Sequence, residues 1–314
     1  MVSEKSKANL EKQQYEFIGS HSAVKICDWT KKSIRGEGTC YKEKFYGIRA
    51  HLCCQMSVSV DFCQHACQFC WRELGETKIV MDGVVDDPKS VFEKSGPAQA
   101  HQLVGFYGNE KADKKKLDEA KDPMHYAISL TGDALIYPKL NEFIKKLHEN
   151  GKTTFVVTNG MLPEKIESME MPTQLYISVD APNKEVYKEI DRPLYIDGWE
   201  RLQKTLEVLK TLKSKTRTTL RLTIIKGMND FDVDGWAEQI LKSDPTFIEV
   251  KAYMFIGSSR QRLTIENMPR HLEIVEFAKK LCEKTGYKII DEQVSSRVVL
   301  LMKEDLPDRI MKFD

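Results

Sequence analysis

The feature that most constrains this chain is the stretch from Val60 to Arg72. There Cys63, Cys67 and Cys70 stand in a C-x3-C-x2-C spacing, with Phe69 directly before the third cysteine. A loop this short can place three thiolates on three corners of a cuboidal iron–sulfur cluster and leave the fourth iron without a protein ligand. An iron with an open position is a place for chemistry, as the open position of a catalytic zinc is. A structural zinc site is the weaker reading, because such sites usually take two C-x2-C pairs and no second pair follows downstream. A disulfide framework is weaker still, since 314 residues can bury a sizeable core without covalent staples.

A second group lies upstream. Cys27, Cys40 and Cys53 are spaced 13 residues apart twice, and Cys54 follows directly. Buried cysteine is common as a small hydrophobe, but thiols this dense read better as a shared metal site. Spacing alone leaves Cys53 and Cys54 as alternative ligands. Cys282, in a late helical pattern, reads as core. The stretch from Met1 to Gln14 is hydrophilic and lysine-rich, without the apolar centre of a signal peptide. No apolar run reaches the length of a membrane span. The expected location is a reducing cytoplasm, where eight cysteines read as metal or catalytic sites. A formal net charge of +1 gives no global basic field, so a nucleic-acid partner must be held by local patches.

Short β-branched and aromatic runs predict strands over 56–61, 126–130, 154–158, 175–179, 218–225 and 247–253, with more over 287–290 and 297–302. Helical periodicity falls between them, over 138–150, 199–212 and 268–284. Such alternation builds a parallel sheet with crossover helices. Six units are too few for a closed eight-fold barrel. The expected fold is α/β, an open partial (β/α)6 TIM-like barrel over 56–285, with a cysteine-rich extension over 1–55 and C-terminal strands and a tail over 286–314. In parallel barrels functional groups sit at the C-terminal strand ends. Those ends make Gly132, Asp133, Thr158, Asn159, Ser178 and Asp180 the candidate cofactor-binding residues. Strand ends also carry turn residues for structural reasons alone; their coincidence with one cysteine loop favours a ligand site. The lysine run within 113–121 reads as solvated surface.

The Val60–Arg72 stretch resembles the signature of the radical S-adenosylmethionine (SAM) superfamily. Gly132-Asp133 resembles that superfamily's glycine-glycine-glutamate-proline element, with Thr131, Asp133 and Ala134 departing from it. Over residues 13–303 the blocks around Cys27, Cys40-Tyr41-Lys42, His51 to Gln55, Phe69-Cys70-Trp71-Arg72 and Ile248 to Met254 resemble the archaeal tRNA 4-demethylwyosine synthases. The upstream trio followed by the radical loop is the most specific part.

This resemblance implies two 4Fe–4S clusters. Cys63, Cys67 and Cys70 would hold the one that binds SAM; Cys27, Cys40 and Cys53 would hold the second. It implies N1-methylguanosine beside the anticodon of tRNA(Phe) as substrate, pyruvate as co-substrate, and a carbon–carbon lyase type of activity. One-electron cleavage of SAM would give a radical able to take hydrogen from the unactivated N1-methyl group, a step that acids and bases cannot make easy. The resulting carbon radical would add to pyruvate, and the carboxyl carbon would be lost. Lys42 matches a lysine considered for pyruvate, as a Schiff base or as a cation. An external one-electron reductant and a monomer are expected. Trp29, Tyr46, Trp71 and Tyr253 are candidate platforms for an extruded base. Lys31, Lys32, Arg35, Arg260 and Arg262 are candidate phosphate contacts. The rival readings are a radical activase acting on a partner protein, and a non-enzymatic zinc and RNA-binding module.

Overall fold

The computed structural model describes residues 1–313. Its strands are β1 (Glu16–Phe17), β2 (Ala23–Val24), β3 (Cys53–Ser57), β4 (His125–Ile128), β5 (Thr153–Thr158), β6 (Gln174–Ser178), β7 (Arg217–Ile224), β8 (Phe247–Ala252), β9 (Lys288–Gln293) and β10 (Val298–Met302). They form one sheet in the order β1-β2-β3-β4-β5-β6-β7-β8-β10-β9. β3 to β8 pair in parallel. β2 on β3 and β10 on β8 are antiparallel. Among the described residues the edge strands β1 and β9 do not pair with each other, so the six-stranded barrel is open, as expected.

Helices α1 (Glu4–Lys12), α2 (Asp28–Ile34) and α3 (Tyr41–Tyr46) precede β3. The crossovers are α4 (Pro88–Leu103) with α5 (Lys114–Glu119), α6 (Leu140–Glu149), α7 (Pro163–Ser168), α8 (Lys184–Ile190) with α9 (Gly198–Leu212), and α10 (Val233–Ser243); α11 (His271–Thr285) follows β8. The spacing of Leu140, Phe143, Ile144 and Leu147 puts all four on the buried face of α6. α4 breaks the expected pattern, because Gly96-Pro97 in its middle interrupts the periodicity while Asp87 caps its start.

The first barrel strand runs over 53–57 rather than 56–61. Val58 and Val60 are buried, which is why the run reads as strand, but Asp61 takes φ 66° and turns the chain into the cysteine loop. β1 and β2 are two residues each, too short to show a period. The division at residue 55 falls inside β3, and β9 and β10 complete the same sheet.

Alternation along the strands sorts two cores. Outward residues such as Met56, Ile128, Val156, Leu175 and Leu220 pack with the helices. Inward Phe155, Tyr176, Phe247 and Leu300 pack with Tyr41, Phe45 and Tyr46, so α3 fills the barrel interior. No helix among the described residues is long and apolar enough to cross a membrane.

Candidate active site

The cysteine loop is held from several distant parts of the chain. The Cys63 N–H donates to Lys78 O (2.9 Å) and the Gln68 N–H to Ile190 O (2.8 Å). Arg72 donates to His65 O (3.1 Å) and to the Thr77 hydroxyl (2.6 Å). Arg262 Nε donates to Gln68 O (2.9 Å), and its Nη2 donates to Cys70 O. Arg262 is therefore a clamp on the loop rather than a free phosphate contact. All three loop cysteines are free and partly exposed. Burial, with smaller contributions from Asp133 and Cys70 and against the opposing charge of Arg72, pushes the Cys63 thiol up to about 11. Cys67 is pushed well above its usual value by burial, then by Asp191, Cys70 and Cys63. The three sulfurs thus repel one another as thiolates, a cost that a shared cation removes.

The candidate strand-end residues surround this loop. Gly132 takes φ 71°, and a Cβ there would sit 1.8 Å from Ser59 O. Only glycine allows this approach of backbone to backbone. The Asp133 carboxylate accepts from the Leu135 N–H (3.0 Å), the Thr158 hydroxyl (2.8 Å) and the Asn159 N–H (2.7 Å). It ties the end of β4 to the end of β5, with most of its acceptor capacity already used. Asn159 Nδ2 donates to Gln64 Oε1 (3.1 Å) and lies 3.7 Å from Cys63 Sγ. Ser178, half-buried at the end of β6, has no side-chain partner among the described residues. Asp180 accepts from the Thr223 N–H (2.9 Å), and burial pushes its carboxyl up to about 6. Asp191, which accepts from Cys67 Sγ (3.6 Å), is pushed well up by burial and then by Asp180.

In the second trio each cysteine begins an element. Cys27 caps the N-terminus of α2, Cys40 caps α3, and Cys53 opens β3. Neither sulfur accepts a capping hydrogen bond, but the first-turn N–H groups, of Trp29 and Thr30 for Cys27 and of Lys42 for Cys40, act against burial and favour a thiolate. Burial and then Cys27 push Cys40 up to about 12; burial, then Cys27 and Cys40, push Cys53 well up. Cys54, one step along β3, is fully buried in the outer core, and burial alone raises it. The fold therefore brings together Cys27, Cys40 and Cys53 and sets Cys54 apart.

Neither trio is drawn together as a single tetrahedral ion would require. Among the described residues, neither trio has all three sulfurs within 4.8 Å of one another. A tetrahedral zinc with bonds of about 2.3 Å needs its sulfurs roughly 3.8 Å apart. A wider set of three thiols suits the corners of a cuboid. Ligand atoms of His65, Cys67 and Asp191 do meet within 4.8 Å, but that group shares Cys67 with the loop.

Lys42 lies beside the second trio and is 8% exposed. Its Nζ sits 4.5 Å from the Tyr176 ring centroid and 5.2 Å from that of Phe155. Burial pushes its pKa down, and Arg221 adds to this. Arg221 and Glu249 were not among the expected site residues. Their signal is the two-residue period, which puts Arg221 and Thr223 on the inner face of β7 and Glu249 and Lys251 on that of β8. Tyr46 and Tyr253 are core side chains bonded to Glu249 and Ser259. Trp29 and Trp71 are half-buried and carry Lys32 and Lys25 over their rings, at 4.6 and 5.7 Å. Lys31, Lys32 and Arg35 lie along α2 and its cap, and Arg260 is exposed.

Residues 57–240 match the Radical SAM superfamily, and residues 242–303 match Wyosine base formation. The S-adenosyl-L-methionine-dependent tRNA 4-demethylwyosine synthase of Pyrococcus abyssi is 48% identical over 95% of this chain and 89% of its own length. The synthase of the same name from Methanocaldococcus jannaschii is 42% identical over 97% of this chain and 98% of its own. A solved structure of TYW1 with a lysine–pyruvate adduct bound superposes with a TM-score of 0.89 at 40% identity, covering 99% of this chain and 100% of that one. With this match along its whole length, and with the cysteine loop on an open six-stranded barrel, the chain belongs to the tRNA 4-demethylwyosine synthase family of radical SAM enzymes.

Proposed function

We propose that this chain forms the tricyclic base 4-demethylwyosine in tRNA(Phe), condensing N1-methylguanosine beside the anticodon with pyruvate. The observation that carries this reading is the presence of two cysteine trios on one barrel, with the buried amine of Lys42 beside the second. The relatives named for this activity and the lysine–pyruvate adduct of TYW1 support it. On this reading Cys63, Cys67 and Cys70 hold a 4Fe–4S cluster that takes SAM, and Cys27, Cys40 and Cys53 hold a second cluster. When bound, cluster and SAM would supply one-electron chemistry able to take hydrogen from an unactivated methyl group.

The chain's own residues have narrower tasks. Gly132 lets the end of β4 close against the loop, and Asn159 with Gln64 lines its Cys63 side. Lys42, held over two aromatic rings, adds its lone pair to the ketone carbon of pyruvate; loss of water then gives an imine. Lys31, Lys32 and Arg35 draw in the anticodon arm, and Trp29 or Trp71 offers a ring to an unstacked base. An external reductant supplies the electron. The protein works as a monomer in the cytoplasm, with a cysteine-rich extension ahead of β3, the barrel, and the closing strands β9 and β10 packed as one domain.

The test is anaerobic reconstitution with iron and sulfide, then iron counting and an assay with N1-methylguanosine-containing tRNA, pyruvate, SAM and dithionite. About eight irons per chain should fall to about four in the Cys27→Ala/Cys40→Ala/Cys53→Ala variant. Digested tRNA from the wild-type reaction should contain 4-demethylwyosine by mass spectrometry. About four irons in both proteins would remove the second cluster. No tricyclic base from fully loaded enzyme would sink the reading.

A further inference from the structure

An amine that condenses with a keto acid is spent on the ketone, so the carboxylate of the same molecule needs a partner of its own. β7 and β8 put one within the barrel. Arg221 and Glu249 are directly paired across these strands. Arg221 Nε donates to Glu249 Oε2 (3.1 Å), and Arg221 Nη2 donates to the Tyr41 hydroxyl (2.9 Å). The hydroxyls of Tyr41 and Tyr46 donate to the two oxygens of Glu249, at 3.0 and 2.8 Å. Glu249 is fully buried and accepts on both sides, so the plane of the guanidinium is fixed by a braced carboxylate.

One edge of that guanidinium remains free. Arg221 Nη1 has no partner among the described residues, and neither has Lys42 Nζ. Both cations lie over the same ring: Arg221 Cζ is 4.7 Å and Lys42 Nζ 4.5 Å from the Tyr176 centroid. Lys251 faces the same interior, two positions after Glu249, and donates to Ser296 O (2.9 Å). Among the described residues Arg221 is thus the cation that pairs with Glu249, while Lys42 and Lys251 face the same interior without an ion pair to it.

We propose that Arg221 is the anchor for the carboxylate of a small α-keto acid whose ketone carbon meets Lys42, and that Glu249, Tyr41 and Tyr46 are its positioning residues. This rests on the function proposed above. A planar fork with a free edge is suited to a carboxylate as a lysine ammonium is not. Charge and shape then select the acid over its esters.

The test uses reconstituted protein kept anaerobic, with two readouts. Equilibrium dialysis measures carbon-labelled pyruvate bound. Trapping with cyanoborohydride measures the Lys42 adduct by peptide mass: amine and ketone lose water, and hydride from the reductant converts the imine to a secondary amine. Arg221→Gln should raise the pyruvate concentration for half-saturation by about tenfold or more. It should weaken trapping of methyl pyruvate at Lys42 far less than binding of pyruvate, because only the charge beside the amine is lost there, and should leave the iron count unchanged. Arg221→Lys, which keeps a cation against Glu249, should fold like wild type and recover only part of the affinity. Wild-type pyruvate binding in Arg221→Gln would overturn the anchor, as would equal weakening for pyruvate and methyl pyruvate, or no pyruvate binding by wild type. If wild type makes 4-demethylwyosine while Arg221→Gln saturates at the same pyruvate concentration, the anchor alone fails. If binding depends on Arg221 but Lys42 takes no label, the anchor stands and the imine falls.

Discussion

Cys53 and Cys54 are adjacent, yet one faces the barrel interior with two other thiols and one faces the helix layer. Cys53→Ala should lose about four irons on reconstitution. Cys54→Ala should keep all of its iron and cost about 1 kcal/mol in chemical denaturation, the loss of one small buried group. Equal iron loss in both variants would contradict this assignment. Gly132→Ala should cost roughly 2–3 kcal/mol or abolish folding, because positive φ and the approach to Ser59 O act together. A melt indistinguishable from wild type would show that the turn can move. The spacing of the cysteines was readable along the chain because ligands on a short loop are local. Arg221 and Glu249 were not readable as a pair: they stand 28 residues apart and meet only through strand register.

Most of the parallel strands were readable as short runs rich in apolar, β-branched or aromatic residues, although β7 and β8 carry Arg221, Glu249 and Lys251 on their inner face. α4 was not, since its Gly96-Pro97 resembles a break, and β1 and β2 were too short. β2 nevertheless leads the extension onto the barrel, and His21, just before it, secures that junction. His21 Nδ1 donates to Val58 O (2.7 Å), and its Nε2 accepts from the Asp86 N–H (2.9 Å). This geometry requires a neutral ring, and burial lowers its pKa from the usual 6.5. The unfolded chain takes up a proton that the folded chain refuses. Stability should therefore be full above the unfolded value and fall as pH drops below it. Urea midpoints measured from about pH 8 to about pH 5 should decline, and His21→Gln should decline less steeply. Parallel curves for the two proteins would remove His21 as the cause.

At the scale of the molecule, a net charge of +1 means that tRNA is drawn to local patches. Replacing Lys31, Lys32 and Arg35 with alanine should weaken tRNA binding and flatten its salt dependence, by about 0.7–0.9 in log–log slope for each phosphate no longer neutralised. An unchanged slope would place the binding face elsewhere. The overall architecture was legible from the order of strand and helix runs, whereas the closure of the loop was not, because its clamp comes from far down the chain. Arg262 lies 194 residues beyond Gln68 and 192 beyond Cys70, the two positions whose carbonyls it holds. While the polypeptide leaves the ribosome, the loop thiols emerge long before the side chain that shapes them. The loop therefore takes the shape described here only after residue 262 has been made and folded back against it.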